Sequence, residues 1–277
     1  MSTKVRRCMT TVVVFSLLIQ AQFAVNGYAA LKAQIAFTST RDGNSEIYVM
    51  DSNGQHATRL TMESTNLAPV WSPDGAKIAF TRTKRGIQIW VMDADGGNQT
   101  QLTRIGWNHQ PAWSRNGNRI AFVTRLRHRG PEIYAMDPDG SNKQRLTQDT
   151  EEKGHPSWSP DGRRIAYESL HQGLYQIFVV EADGSGKTER LTHNPPHKKY
   201  PAWSPDGDTI AYCSWDVHTP PINLMTADGI HLKQLTELHG GRDTDPDWFS
   251  PVGRSVSPTA NFVTIWGEIK SEPAGRR

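Results

Sequence analysis

Apolar residues in this chain gather in short runs, cut off by clusters of Pro, Asp, Gly and Ser, and the runs return at a nearly fixed distance. One set reads Ile35-Ala36-Phe37, Ile78-Ala79-Phe80, Ile120-Ala121-Phe122, Ile165-Ala166-Tyr167 and Ile210-Ala211-Tyr212. A second set follows each of these: Ile47-Tyr48-Val49-Met50, Ile89-Trp90-Val91-Met92, Ile133-Tyr134-Ala135-Met136, Ile177-Phe178-Val179-Val180 and the weaker Ile222-Asn223-Leu224-Met225. Runs this short, bounded by turn residues, read as β-strands. Their nearly unbroken apolarity, without alternation, predicts sheets covered on both faces. Each pair is followed by a more polar stretch ending in Leu60-Thr61, Leu102-Thr103, Leu146-Thr147, Leu191-Thr192 or Leu235-Thr236. That polarity suits an exposed edge strand, where it discourages pairing with another edge.

A shorter strand carrying a tryptophan precedes each Ile-Ala-aromatic run except the first, and one more follows the last repeat. The five are Trp71, Trp113, Trp158, Trp203 and Trp248, spaced 42, 45, 45 and 45 residues apart in a phrase close to P-x-W-S-P-D-G-x-x-I-A-F. In that phrase Pro73 presets φ, Asp74 can bond the backbone ahead and Gly75 accepts positive φ, so the segment is a tight turn between strands one and two. Self-similarity at this period predicts an all-β propeller of four-stranded antiparallel blades. The tryptophans recur at one internal position in every repeat, which predicts packing between blades rather than a role in ligand stacking. The first repeat enters at Ile35 without a Trp strand, and an extra Trp strand stands at the end. Five blades are therefore expected, with Asp245 to Ser250 closing the ring as the innermost strand of the first. Six is the alternative, with a degenerate blade built from Val256-Ser257-Pro258 and Phe262-Val263-Thr264-Ile265-Trp266.

The phrases W-S-P-D-G-x-x-I-A-F, I-Y-V-M-D-x-D-G and R-L-T, repeated over residues 34–250, resemble the TolB-type propeller repeat family. The resemblance implies a protein-binding propeller. Members of the family serve the Tol–Pal envelope system in the periplasm, with an α/β domain ahead of a six-bladed ring. Here the repeats are expected to follow the leader directly, leaving no room for that domain or for contacts made through it.

The leader itself is read from Lys4, Arg6 and Arg7, the apolar run Val12 to Ile19, and the small residues up to Ala29-Ala30. These are the parts of a secretory signal peptide, with cleavage expected after Ala29. The apolar core is too short to span a bilayer, which needs about 20 residues. The expected organisation is a signal over 1–29, a propeller over 33–254 and an extension over 255–277. Localisation follows as periplasmic or secreted, with no stable membrane span after cleavage. The formal charge of +3 is accounted for by Lys4, Arg6 and Arg7, since residues 1–30 contain no acid. The remaining chain is formally neutral, so the pI near 8.8 is not a nucleic-acid footprint, and no nucleic-acid partner is expected. Cys8 leaves with the signal. Cys213 stays in a predicted strand and reads as a buried structural thiol.

Turns joining strands one to two and three to four hardly vary between repeats, whereas the connections from two to three and from blade to blade do. In a propeller both variable sets project from one face, and variable loops on a constant scaffold are where binding function resides. The residues before the proline of each Trp strand are Ala68, Gln110, His155, Tyr200 and Asp245. They are expected to ring the mouth of the central channel, at the ends of blade-to-blade loops that take in Trp107 to Gln110, Glu151 to His155, His193 to Tyr200 and His239 to Asp245. The candidate binding residues are Trp107, His109, Gln110, His155, Lys199, Tyr200, Asp243 and Asp245, and the expected occupant is a protein or cell-envelope component met by a monomeric chain.

No catalytic residue, metal ligand or cofactor motif is assigned. The D-x-D-G segments, Asp93 to Gly96 and Asp137 to Gly140, lack the remaining ligands of a calcium loop and read as β-turns. His193 and His197 are separated by Pro195-Pro196, which forbids helical i,i+4 metal spacing. Gly184-Ser185-Gly186 is a turn and not a nucleophile elbow. The alternative function is a hydrolase- or lyase-like enzyme, with or without a metal ion, gathering His155, Tyr200 and Asp245 at the channel mouth.

Overall fold

A computed structural model describes residues 34–52, 54–215 and 220–236. Every regular element among them is a β-strand. Blade 1 contributes β1 (Gln34–Ser39), β2 (Glu46–Asp51) and β3 (Thr58–Arg59). Blade 2 is built from β4 (Asn66–Trp71), β5 (Lys77–Arg82), β6 (Gln88–Asp93) and β7 (Thr100–Gln101). Blade 3 runs β8 (Trp107–Trp113), β9 (Ile120–Arg125), β10 (Pro131–Met136) and β11 (Gln144–Arg145). In blade 4 the strands are β12 (Lys153–Trp158), β13 (Arg164–His171), β14 (Leu174–Glu181) and β15 (Thr188–Arg190). Blade 5 holds β16 (His197–Trp203), β17 (Thr209–Trp215), β18 (Ile222–Thr226) and β19 (His231–Gln234). Within each sheet the strands pair antiparallel in chain order. The described residues form five blades of a β-propeller. The expected closing strand, Asp245 to Ser250 with Trp248, lies outside the described residues, as do the expected signal peptide, the C-terminal extension and the segment on which a sixth blade would rest.

The core lies in the seams between blades. Ala36, Ile47 and Val49 of blade 1 pack with Trp71, Ile78, Phe80 and Met92 of blade 2. The pattern repeats between blades 2 and 3, 3 and 4, and 4 and 5, where Trp113, Trp158 and Trp203 enter in turn. Each tryptophan is thus a wedge from one blade against the preceding one. Trp71 and Trp203 are 5% exposed and Trp158 is 8% exposed, which confirms them as scaffold. Ile35, Phe37 and Met50 occupy in blade 1 the places of Ile78, Phe80 and Met92, and they form their own cluster with Tyr48.

The Leu-Thr phrases have a second purpose that their polarity did not announce. Thr103 Oγ1 accepts the Ile89 N–H at 2.9 Å and donates to Gln88 Oε1 at 2.7 Å. Asn108, from the next blade, donates to the same oxygen at 2.9 Å. Thr61, Glu46 and Asn66 repeat this arrangement one blade earlier. Blades 1 and 2, and blades 2 and 3, are therefore joined by buried, satisfied polar links as well as by apolar seams, which fixes their relative register.

The turns behave as the sequence predicts. Ser72 donates to Asp74 at 2.6 Å while the Ala76 N–H is taken by the same carboxylate at 3.0 Å. In the D-x-D-G turns Asp95 accepts the Gly97 N–H at 2.9 Å and Asp93 accepts Lys77 Nζ at 2.7 Å. Those carboxylates are engaged locally, the β-turn reading of the segment. The Cys213 thiol is buried, as its strand predicts.

Candidate functional site at the channel mouth

The innermost strands correct one boundary in the sequence reading. Residues 107–110, 153–155 and 197–200 were expected in loops, yet they belong to β8, β12 and β16. The cause is a bulge that hides the strand's periodicity. Register shifts interrupt the pairing between Leu67 and Val70, His109 and Ala112, Gly154 and Ser157, and Lys199 and Ala202. Within each gap one non-glycine residue holds a left-handed backbone: Ala68 (φ 51°), Gln110 (φ 54°), His155 (φ 50°) and Tyr200 (φ 56°). These are the residues before the prolines. A left-handed conformation costs a non-glycine residue about 1–2 kcal/mol, so four copies are a feature the surrounding blades must hold in place. Bulges of this kind re-aim a side chain and twist the strand. Here they turn four chemically different side chains at one level of the ring.

Backbone groups displaced by the bulges find partners on the preceding blade. Thr81, which follows Ile78-Ala79-Phe80, accepts the Gln110 N–H at 3.2 Å. Glu168, at the same place in blade 4, accepts the Tyr200 N–H at 2.9 Å. Blade 3 has Val123 there, which cannot accept. Instead the Gln110 side chain crosses over, and its Oε1 takes the His155 N–H at 3.0 Å.

That contact fixes the protonation pattern of the site. Because Gln110 Oε1 faces a backbone N–H, its Nε2 is the atom 2.8 Å from His155 Nε2 and must donate to it. His155 Nε2 is then an acceptor, and the ring proton sits on Nδ1, 3.1 Å from Glu168 Oε1. Tyr200 stands edge-on to His155 with ring centroids 4.4 Å apart. Lys199 Nζ lies 4.0 Å from Glu168 Oε1 and 3.7 Å from the centre of the Tyr175 ring. Glu168 is 4% exposed. Burial alone would raise its carboxyl, but the His155 contact, the Tyr200 N–H and the Lys199 ammonium outweigh it and hold the group below the usual carboxylate range. His109 is shifted down, first by burial and then by the neighbouring His155 ring.

Four of the expected binding residues, Gln110, His155, Lys199 and Tyr200, therefore meet in one network spanning blades 3, 4 and 5. His109 lies beside it on β8, opposite Val123. Trp107 stands further out on the same strand, opposite Arg125 and 55% exposed. Asp243 and Asp245 lie outside the described residues. Sequence reasoning missed Glu168, the centre of the network. Its signal was available, because the residue after each Ile-Ala-aromatic run is Thr38, Thr81, Val123, Glu168 or Cys213, and a lone acid interrupts the series.

The His155 nitrogen that could act as a base already accepts a hydrogen bond from Gln110. Among the described residues, no group of three His, Cys, Asp or Glu side chains could hold a metal ion.

The TolB beta propeller domain matches residues 27–129 and 103–261, most of the chain. The chain belongs to the TolB β-propeller family. A Tol-Pal system protein TolB from Desulfosudis oleivorans is 43% identical over 56 residues, 20% of this chain and 13% of that protein. The match therefore spans a small part of that TolB. A solved TolB-like protein from Agrobacterium tumefaciens superposes with a TM-score of 0.65 at 29% identity, covering 74% of this chain and 80% of that one. TolB from Acinetobacter baumannii shares the fold, with a TM-score of 0.64 at 23% identity over 73% of this chain and 52% of that chain.

Proposed function

We propose that this TolB-family chain is an exported, non-catalytic propeller, periplasmic or secreted, that binds a protein or cell-envelope partner through its variable-loop face and channel mouth. The observation that carries the reading is the set of bulges. The core strands and the tight turns agree from repeat to repeat, but at the mouth the backbone is held in a costly conformation to present Ala68, Gln110, His155 and Tyr200. A surface of unlike side chains, fixed by buried contacts behind them, is preorganised for one asymmetric partner. The Tol–Pal name carried by the related proteins is in keeping with an envelope partner.

The alternative of a channel-mouth enzyme draws on the 3.1 Å approach of His155 to Glu168. It is the weaker reading, since Gln110 occupies the nitrogen such a base would use. The test is affinity capture from envelope extracts with the chain as bait, alongside elemental analysis of the purified protein. Specific, saturable capture of one component supports binding. A stoichiometric metal ion with no captured component would favour the enzyme.

A further inference from the structure

The loops of blades 2 and 3 on the same face carry a composition the mouth network does not use. Four connections lie side by side there: β3–β4, β5–β6, β7–β8 and β9–β10. The Thr83 N–H donates to Thr65 O at 3.0 Å, and the Asn108 N–H to Ile87 O at 2.8 Å, which stitches the first three together. Gln88 adds a side-chain bond to Gly106 O at 2.9 Å. Trp107 pairs in register with Arg125, which brings in the fourth.

Along this strip the apolar side chains face solvent. Met62 is 75%, Ile105 79% and Trp107 55% exposed. Around them stand the exposed cations Lys84, Arg85, Arg104, Arg125, Arg127 and Arg129. Glu63 is the one acid in these four connections, and it is paired with Lys84. A chain of formal charge +3 thus concentrates five cations against one acid in these four connections, with Arg125 beside them, where three large apolar side chains are bare. Exposed apolar groups rimmed by polar ones mark contact sites, and Trp with Arg is the pairing enriched at binding hot spots.

We propose that this strip docks an acidic segment of a partner protein, one that carries aliphatic or aromatic side chains among its carboxylates. The proposal rests on the reading that this face binds a protein, and adds the chemistry of what it binds. Charge complementarity selects acid, and the bare Met62, Ile105 and Trp107 select apolar side chains between the acids. The next connection on the same face, β11–β12, holds the exposed Asp149, Glu151 and Glu152, with Glu152 3.3 Å from Arg125. A laterally extended anionic surface such as a bilayer would meet those acids as well. A bounded acidic segment would not.

The experiment selects a displayed library of random 12-residue peptides against the purified full chain, with vesicles containing 30% phosphatidylglycerol as a parallel probe. Enriched peptides should be net acidic and contain Leu, Ile, Phe or Trp. Their affinity should fall at least tenfold for Trp107→Ala and for the triple reversal R85E/R127E/R129E, and stay unchanged for Ile230→Ala, an exposed apolar residue on blade 5. Raising the salt should weaken binding to the native chain more than to the triple variant. No enrichment, enrichment of neutral or basic peptides, or indifference to both variants would overturn the proposal. So would vesicle binding that depends on the same residues in the absence of any peptide. Peptides lost by Tyr200→Ala but kept by Trp107→Ala and the triple variant would leave the mouth as a binding site and remove this one.

Discussion

Replacing Glu168 by alanine removes one acceptor and strands three groups at once. The Tyr200 N–H, bonded at 2.9 Å, loses its partner inside the strand and cannot recover it from β16's own ladder because of the bulge. An unsatisfied buried donor costs about 1–3 kcal/mol. His155 at 3.1 Å and Lys199 at 4.0 Å lose an anion, but their side chains are 32% and 25% exposed, so solvent replaces most of that interaction and a few tenths of a kcal/mol remain for each. The total is roughly 1.5–3.5 kcal/mol, which corresponds to about 3–14 °C in Tm for a domain of this size. Urea unfolding at pH 7 measures it directly. Glu168→Gln keeps an acceptor for Tyr200 and isolates the charge. The folded-state carboxyl is shifted down, so its stabilisation is present above the unfolded value of about 4.3 and is lost as pH falls through the lower folded value. The gap between wild type and Glu168→Gln should therefore be present at neutral pH and close in the acid range below about 4. An alanine variant within about 0.5 kcal/mol of wild type, or a Gln gap that survives acidification, would refute the reasoning.

Trp158→Ala should cost about 3–5 kcal/mol in urea unfolding, because the ring fills the seam between blades 3 and 4 and its Nε1 donates to Ala112 O at 3.1 Å. Ala68→Gly should stabilise the chain by about 0.5–1 kcal/mol, since glycine meets φ 51° without strain, read as a rise in the urea midpoint. Gly140→Ala should go the other way, by roughly 1–3 kcal/mol, as its φ is +85° and a Cβ would sit 2.8 Å from Leu102 O. In Gln110→Ala the His155 ring loses the donor that fixes its tautomer. Imidazole nitrogen NMR should show Nδ1–H in the native chain and a mixture in the variant.

Much of the fold was legible because one phrase recurs at a period of about 45 residues and each copy contains its own turn chemistry. The Ile-Ala-aromatic strands, the S-P-D-G turns and the buried tryptophans all stand where the pattern puts them. The innermost strands were less legible. A left-handed residue before a proline runs against local backbone preference, so residues 107–110 and 197–200 read as loop although they pair as strand. Of the mouth, Gln110, His155 and Tyr200 could be placed by their common offset from the tryptophans, with Lys199 as the neighbour of Tyr200. Glu168 could not, because it sits inside an apolar strand and its role depends on a backbone N–H displaced in the next blade. The link through Thr103, Gln88 and Asn108 was hidden for the same reason: its members lie in β6, in β8 and in the connection between β7 and β8, across two blades.

The division between a constant scaffold and a binding mouth is tested most directly by hydrogen exchange on the chain with and without the envelope component it captures. Protection should appear at residues 104–110, 151–155 and 197–200, where the bulged strands and their connections meet, while the turns at 72–77 and 93–98 on the opposite face exchange as in the free chain. Protection confined to those turns, with the mouth unchanged, would contradict it.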